Sequence, residues 1–281
     1  MLTWLLHGLR RGIITTPYPR RGEYPPSGFQ APPLVLNQAD GDPELVALCP
    51  VSAITVDGDQ RIRLDRARCV LCGECVRAAP ERFAFSEVFE SARRTRAELI
   101  EPDHSSAPTD PDARAELAAP DPPAAADPTA ALQARRAALG EAAWALRKSI
   151  HIRHIDTGSD GGEEWEIQAL WNPHYDIQRL GFFLTSSPRH ADILLVTGAV
   201  TAPLRAPLEL TWELMPEPKV LVAAGADACG GGFAAGQGTS AEGVDQVLPV
   251  DVYIPGSPPT PITLLDGLLL AVGLLRAEAG R

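Results

Sequence analysis

The 281-residue chain is short of cations: 25 Lys and Arg stand against 36 Asp and Glu, giving a formal charge of −11 and a pI near 5.0. Binding a phosphate backbone needs clustered cations that release counterions. No stretch here has that density without acids between them, so a nucleic-acid partner is not expected. Long apolar runs are also missing. The best, Pro261 to Leu275, is broken by Asp266 and falls short of the roughly 18 residues of a membrane span. Met1 to Leu9 has a short apolar face, but no basic residue precedes it and no small-residue cleavage site follows, so export by a signal peptide is not expected. Cysteine is scarce too. Of five in all, three lie within seven residues, a placement unsuited to a disulfide framework and suited to metal in a reducing compartment. The cytoplasm is therefore the expected location.

What is present divides along the chain. The length suits two domains, at roughly 100 to 200 residues each, and a hydrophobic content of 45% suits a globular protein. The load of 24 Gly and 27 Pro should sit mainly in loops and linkers. Residues 1–38 are Pro- and Arg-rich without a sustained period and read as an extended arm. Residues 39–100 hold four of the five cysteines. Residues 101–129 include an Ala-, Pro-, Asp- and Ser-rich run from Ser105 to Thr129 that buries too little apolar surface to offset chain entropy, and read as a flexible linker. Residues 130–281 begin with a helix-forming stretch to Ser149. Beyond it, ILLVT at 193–197, VLVA at 220–223 and VDVYI at 250–254 alternate with helical patterns. Continuous β-branched and Leu runs bounded by Gly imply strands buried on both faces, hence a parallel sheet in an α/β domain.

The sharpest local pattern is Cys69-x-x-Cys72-x-x-Cys75 followed by Ala79-Pro80, the bacterial ferredoxin run with its last cysteine replaced. Thirty residues upstream, Ala39, Asp42, Leu45 and Cys49-Pro50 fall at the same spacings, so the segment is an internal repeat. In two-cluster ferredoxins the fourth cysteine of each run ligates the other run's cluster. One cluster would then use Cys49, Cys69, Cys72 and Cys75, all present; the other would use positions 39, 42, 45 and 79, all lost. The region resembles a two-cluster ferredoxin reduced to a single [4Fe–4S] centre in an α+β domain. A four-cysteine zinc site or unligated thiols are the alternatives.

From residue 149 to about 270 the chain resembles the small iron–sulfur (20 kDa type) subunit shared by respiratory complex I and the membrane-bound energy-converting [NiFe]-hydrogenases. The matching runs are SIHIRHIDTG at 149–158, YDIQRLG at 175–181, PRHADILLVTG at 188–198, PEPKV at 216–220 and PVDVYIPGSPP at 249–259. GIITTPYP at 12–19 and GFQAPPL at 28–34 are likewise similar to the ferredoxin-like subunit of such complexes, so the chain reads as a fusion of two neighbours. The resemblance implies a flavodoxin-like α/β domain with a mainly parallel sheet, no complete active site of its own, and a peripheral position on the cytoplasmic face of the membrane. It also implies partners in a large hydrogenase or complex I-like subunit and in membrane-arm subunits, within an NADH-quinone oxidoreductase or hydrogenase type of assembly.

The resemblance also exposes a departure. The family's cluster-ligand positions fall on Asp160, Glu163, Asp227 and Ser257, none of them a thiol, so no terminal [4Fe–4S] cluster is expected there. Two fillings stay open: an oxygen-rich site for a hard cation such as Mg2+, Ca2+ or Mn2+, or a collapsed pocket whose acids face solvent or Arg179, Arg189 and His190. Cys229 and the Gly230-Gly231-Gly232 run read as buried packing, and His151 and His154 as structural. Two functions compete: an electron-transfer subunit using the cluster at Cys49, Cys69, Cys72 and Cys75, and a non-redox scaffold that keeps only docking surfaces.

Overall fold

The computed structural model describes residues 10–21, 25, 28–37, 41–102 and 149–279, with side chains to residue 273. Nearly all of the expected linker, the helix-forming stretch before Ser149, Met1 to Leu9 and Ala39 lie outside the described residues.

The thirty-residue repeat is visible as structure. Strand β1 (Ala31–Val35), helix α1 (Pro43–Leu48) and strand β2 (Ile54–Val56) are followed by β3 (Ile62–Asp65), α2 (Glu74–Ala78) and β4 (Phe83–Ser86). The halves interlock: β1 pairs antiparallel with β4, and β2 with β3, onto which the short β5 (Ile100–Glu101) adds. Within the segment expected as an arm, Ala31–Val35 is thus a sheet strand. Asp42 starts α1, its Oδ1 accepting the Glu44 N–H at 2.9 Å with Pro43 in the first turn, where its missing donor is harmless. Leu45 and Ala79, which stand at two lost ligand positions of the repeat, are buried in the core with Ile54, Ile62, Leu64 and Phe83.

The second half runs β6 (Ile150–Asp156), α3 (Gly162–Ala169), β7 (Phe182–Leu184), β8 (Ile193–Thr197), α4 (Ala202–Glu213), β9 (Val220–Ala224), α5 (Ala226–Gly230), β10 (Val252–Ile254) and α6 (Pro261–Ala279). All five strands are parallel, in the order β10-β9-β8-β6-β7. Every residue of β8 and β9 is buried, as their unbroken apolar runs require. Leu264, Leu265 and Leu268 of α6 cover one face, and Leu208 and Met215 cover the other. The order of connection reverses between β6 and β8, which opens a crevice at their carboxyl ends.

The halves share their cores. Tyr18, Phe89 and Ala92 join the α6 side, while Ala67 and Leu99 join the other. Arg93 and Tyr253 exchange backbone hydrogen bonds at 3.0 and 2.8 Å. Arg96 grips Asp65 through two bonds of 2.6 Å and lies 3.9 Å from Asp245, and Arg68 binds Glu242 at 2.9 Å. The Tyr18 hydroxyl donates to Asp266 at 3.1 Å, tying the N-terminal segment to buried α6. Among the described residues no helix is long and apolar enough to cross a membrane.

Candidate functional site

Cys49 caps the end of α1, Cys69 and Cys72 sit on the loop after β3, and Cys75 lies in the first turn of α2. This loop folds tightly because Leu71 and Gly73 adopt positive φ of 57° and 75°. At Gly73 an added Cβ would stand 3.2 Å from the Phe85 ring, so the residue has little room to be larger. All four cysteines line one cavity, whose remaining wall includes Val51, Ile54, Leu64 and Val70. Cys69 and Cys75 are buried, Cys49 is half-buried and Cys72 is exposed.

The electrostatics fit a thiolate-held cation. Burial pushes the Cys69 thiol up to about 12, opposed by the Leu71 N–H and reinforced by Cys75, Cys49 and Cys72. Burial also raises Cys75, against the Val76 N–H. The Ala53 N–H donates to Cys49 Sγ at 3.2 Å. Four thiols lining one largely apolar cavity repel one another as thiolates unless a positive centre lies among them, and backbone N–H donors on the sulfurs are the usual environment of an iron–sulfur cluster. The residues present therefore fit a [4Fe–4S] group.

The positions expected to be vacated meet at the crevice beyond β6 and β8. Gly162 N donates to Asp160 Oδ1 at 2.9 Å and fixes the loop that starts α3. Glu163 follows, only 4% exposed, with its carboxyl lying over Gly225, where an added Cβ would come within 2.3 Å of Oε1. Burial lifts this carboxyl to about 7, with Asp227, Asp160 and Glu164 adding to the rise. Asp227, on α5, is raised by burial and by Asp160, against the Phe233 N–H that it accepts. The Ser257 turn closes the crevice through Pro258, 3.7 Å from where a Gly162 Cβ would lie. The three acids thus lie within electrostatic range of one another without converging on one point, with Ser257 on the adjoining turn.

The basic residues expected opposite these acids are placed differently in one clear case. Arg179 donates to the backbone carbonyls of Thr16 at 2.7 Å and Tyr18 at 3.2 Å, anchoring the N-terminal segment, because those carbonyls have left regular structure and need donors. Among the described residues no three His, Cys, Asp or Glu side chains stand close enough together for a single metal ion. Neither zinc at the cysteines nor a hard cation at the acids therefore has a formed donor set. A cubane differs in holding its thiolates at four separate corners.

Cys229 is turned into the core, its Sγ 3.4 Å from Ala223 O and 3.5 Å from Ile254 O, and burial raises its thiol to about 12. Gly230 meets the other half closely, since a Cβ there would lie 2.7 Å from Arg68 Cγ. His154 hydrogen-bonds Thr197 Oγ1 at 2.9 Å, and Thr197 and Ser159 donate to Glu164 at 2.5 and 2.7 Å. This chain of polar groups has no periodic signature. The exposure of Trp165, two residues after Glu163, at 73% and of Phe233 at 64% was equally silent in the sequence.

Comparison with known proteins places the chain. The profile described as "NADH ubiquinone oxidoreductase, 20 Kd subunit" matches residues 161–271, and that of a "4Fe-4S single cluster domain" matches residues 62–126. The probable membrane-bound hydrogenase subunit mbhJ of Pyrococcus furiosus is 43% identical over 128 residues, which are 45% of this chain and 76% of that protein. The chain belongs to the 20 kDa subunit family. It also carries a 4Fe–4S single-cluster domain. Formate hydrogenlyase subunit 7 of Escherichia coli is 43% identical over 133 residues, 47% of this chain and 52% of that protein, so the match spans about half of this relative. A chain from the membrane-bound sulfane sulfur reductase, an archaeal respiratory membrane complex, is 31% identical with a TM-score of 0.42, covering 48% of this family member and 75% of that chain.

Proposed function

We propose that the protein is an electron-transfer subunit of a complex I-like or energy-converting hydrogenase-like oxidoreductase, with its one [4Fe–4S] cluster held by Cys49, Cys69, Cys72 and Cys75. The observation that carries this reading is the cavity they line together, with Cys69, Cys72 and Cys75 inside the single-cluster match at 62–126 and Cys49 reaching it from the preceding half of the repeat. The group supplies one-electron redox chemistry when bound. Val51, Ile54, Leu64 and Val70 keep water from it, and the N–H groups of Ala53, Leu71 and Val76 offset sulfur charge. Cys72, the exposed ligand, is the edge at which an electron enters or leaves. On its other side the cluster loop leads inward: Leu71 shares a small cavity with Gly256 and Pro258, on the turn that bounds the acid crevice.

In this reading residues 1–38 are an arm, 39–100 the ferredoxin-like domain, 101–129 a linker and 130–281 the small-subunit-like domain. A flavodoxin-like fold for the last is supported by its sheet, whose five strands lie in the order second, first, third, fourth, fifth. Asp160, Glu163, Asp227 and Ser257 carry no second cluster. A large hydrogenase or complex I-like subunit, with membrane-arm subunits, supplies the catalytic site, and the chain sits peripherally on the cytoplasmic face of the membrane. Serine substitution of Cys49, Cys69, Cys72 or Cys75 singly is expected to abolish or convert the cubane EPR signal of the reduced protein, while Asp227→Ala leaves it unchanged. A signal that survives all four serine variants contradicts the assignment.

A further inference from the structure

We propose that Glu163 is a proton-binding site: its carboxyl takes up and gives back one proton at the position where the family sets a cluster thiolate. The inference goes beyond electron transfer and stands if the cluster assignment fails.

The geometry carries it. Glu163 is 4% exposed, and Oε2 is buried with no hydrogen-bond partner. Its stem and Oε1 are pressed over Gly225, so the side chain itself fills space at the end of β9. Its own backbone N–H offsets part of the burial penalty, but a buried carboxylate with one oxygen left unpartnered is still costly, and it is relieved by a proton, a metal ion or a basic side chain. The groups facing it are all acidic. Asp160 lies on the preceding loop, Glu164 on α3 and Asp227 on α5. Among the described side chains of α6, which packs against α3, the titratable one is Asp266, held by the Tyr18 hydroxyl. A metal ion has no formed donor set among the described residues. Protonation remains, and burial with the like charges of Asp227, Asp160 and Glu164 favours it, lifting the carboxyl to about 7. Asp160, exposed at the mouth, connects the site to water.

The step balances simply: the carboxylate and one proton from solvent give the neutral acid, and the reverse returns the proton. The fold prepares for this by placing the carboxyl at the crevice where the connection order reverses, the usual ligand position of such sheets.

The test is a 13C NMR titration of the anaerobically purified full chain labelled at glutamate side-chain carboxyls, over about pH 5 to 9. One resonance is expected to titrate near pH 7 and to be absent in Glu163→Gln. The proposal is overturned if every glutamate titrates in the ordinary range, or if the high resonance survives in Glu163→Gln and vanishes in Glu166→Gln, a neighbour also raised by burial. It is overturned as well if millimolar Mg2+ or Mn2+ displaces the proton from that resonance, which makes the site a cation site. Should Glu163→Gln misfold, Asp160→Asn serves instead. Removing that like charge is expected to move the midpoint to lower pH, and an unmoved midpoint contradicts the arrangement.

Discussion

Replacing Glu163 with Gln preserves the shape of the side chain and removes its ionisation, so the two proteins differ in stability by what the charge costs. In the folded chain burial holds the carboxyl near 7, against an ordinary 4.5. A carboxyl raised on folding stabilises fully below its ordinary value, and that contribution is lost as pH climbs from there through the folded value. At about 1.4 kcal/mol per unit, the whole difference amounts to roughly 3 kcal/mol, and solvent screening at the mouth reduces it to about 2 kcal/mol. Relative to Glu163→Gln, the unsubstituted protein should therefore lose about 2 kcal/mol between pH 5 and pH 8. For a chain of this size that is about 5 °C in melting temperature. Anaerobic thermal unfolding followed by circular dichroism, at one scan rate throughout, reads the difference. Two curves that stay parallel across this window refute the buried, unpaired charge.

Three further substitutions probe the framework. Arg96→Ala removes the two-bond grip on Asp65 and the contact with Asp245, and should destabilise the chain by about 2 kcal/mol, with Arg96→Lys recovering only part of it in the same unfolding assay. Gly198→Ala sets a Cβ 2.4 Å from Ser159 N at a φ of 78°; the clash is with backbone, so a loss of about 3 kcal/mol or failure to accumulate folded protein is expected. Tyr18→Phe deletes a buried hydrogen bond to Asp266 and should destabilise by about 1 to 3 kcal/mol while leaving the cluster spectrum unaltered.

The legible parts were those written in spacing. The cysteine run, its thirty-residue echo and the apolar strands at 193–197, 220–223 and 250–254 each follow from a local period, and elements appear at all of them. The structure adds that α1 and α2 are counterparts in this repeat, with Leu45 standing in the core where a ligand would be. Contacts between the halves were not legible. Arg68 and Glu242 are 174 residues apart, and such pairs leave no pattern in a single sequence. Nor did the run around Glu163 announce burial: three acids in GGEEWE carry no apolar signal, and only the bare backbone of Gly225 on a neighbouring strand end makes room for the side chain. Arg179 was drawn to orphaned carbonyls of the N-terminal segment, a choice set by tertiary packing rather than by the acids near it in a motif.

The proposed electron-transfer role needs one cubane on one quartet of thiols. Iron and acid-labile sulfide counted on the anaerobically purified chain, with low-temperature EPR of the same sample after reduction, address it directly. About four irons and four sulfides per chain are expected, with a single reducible cubane signal. Eight irons, or none after reconstitution, contradict it.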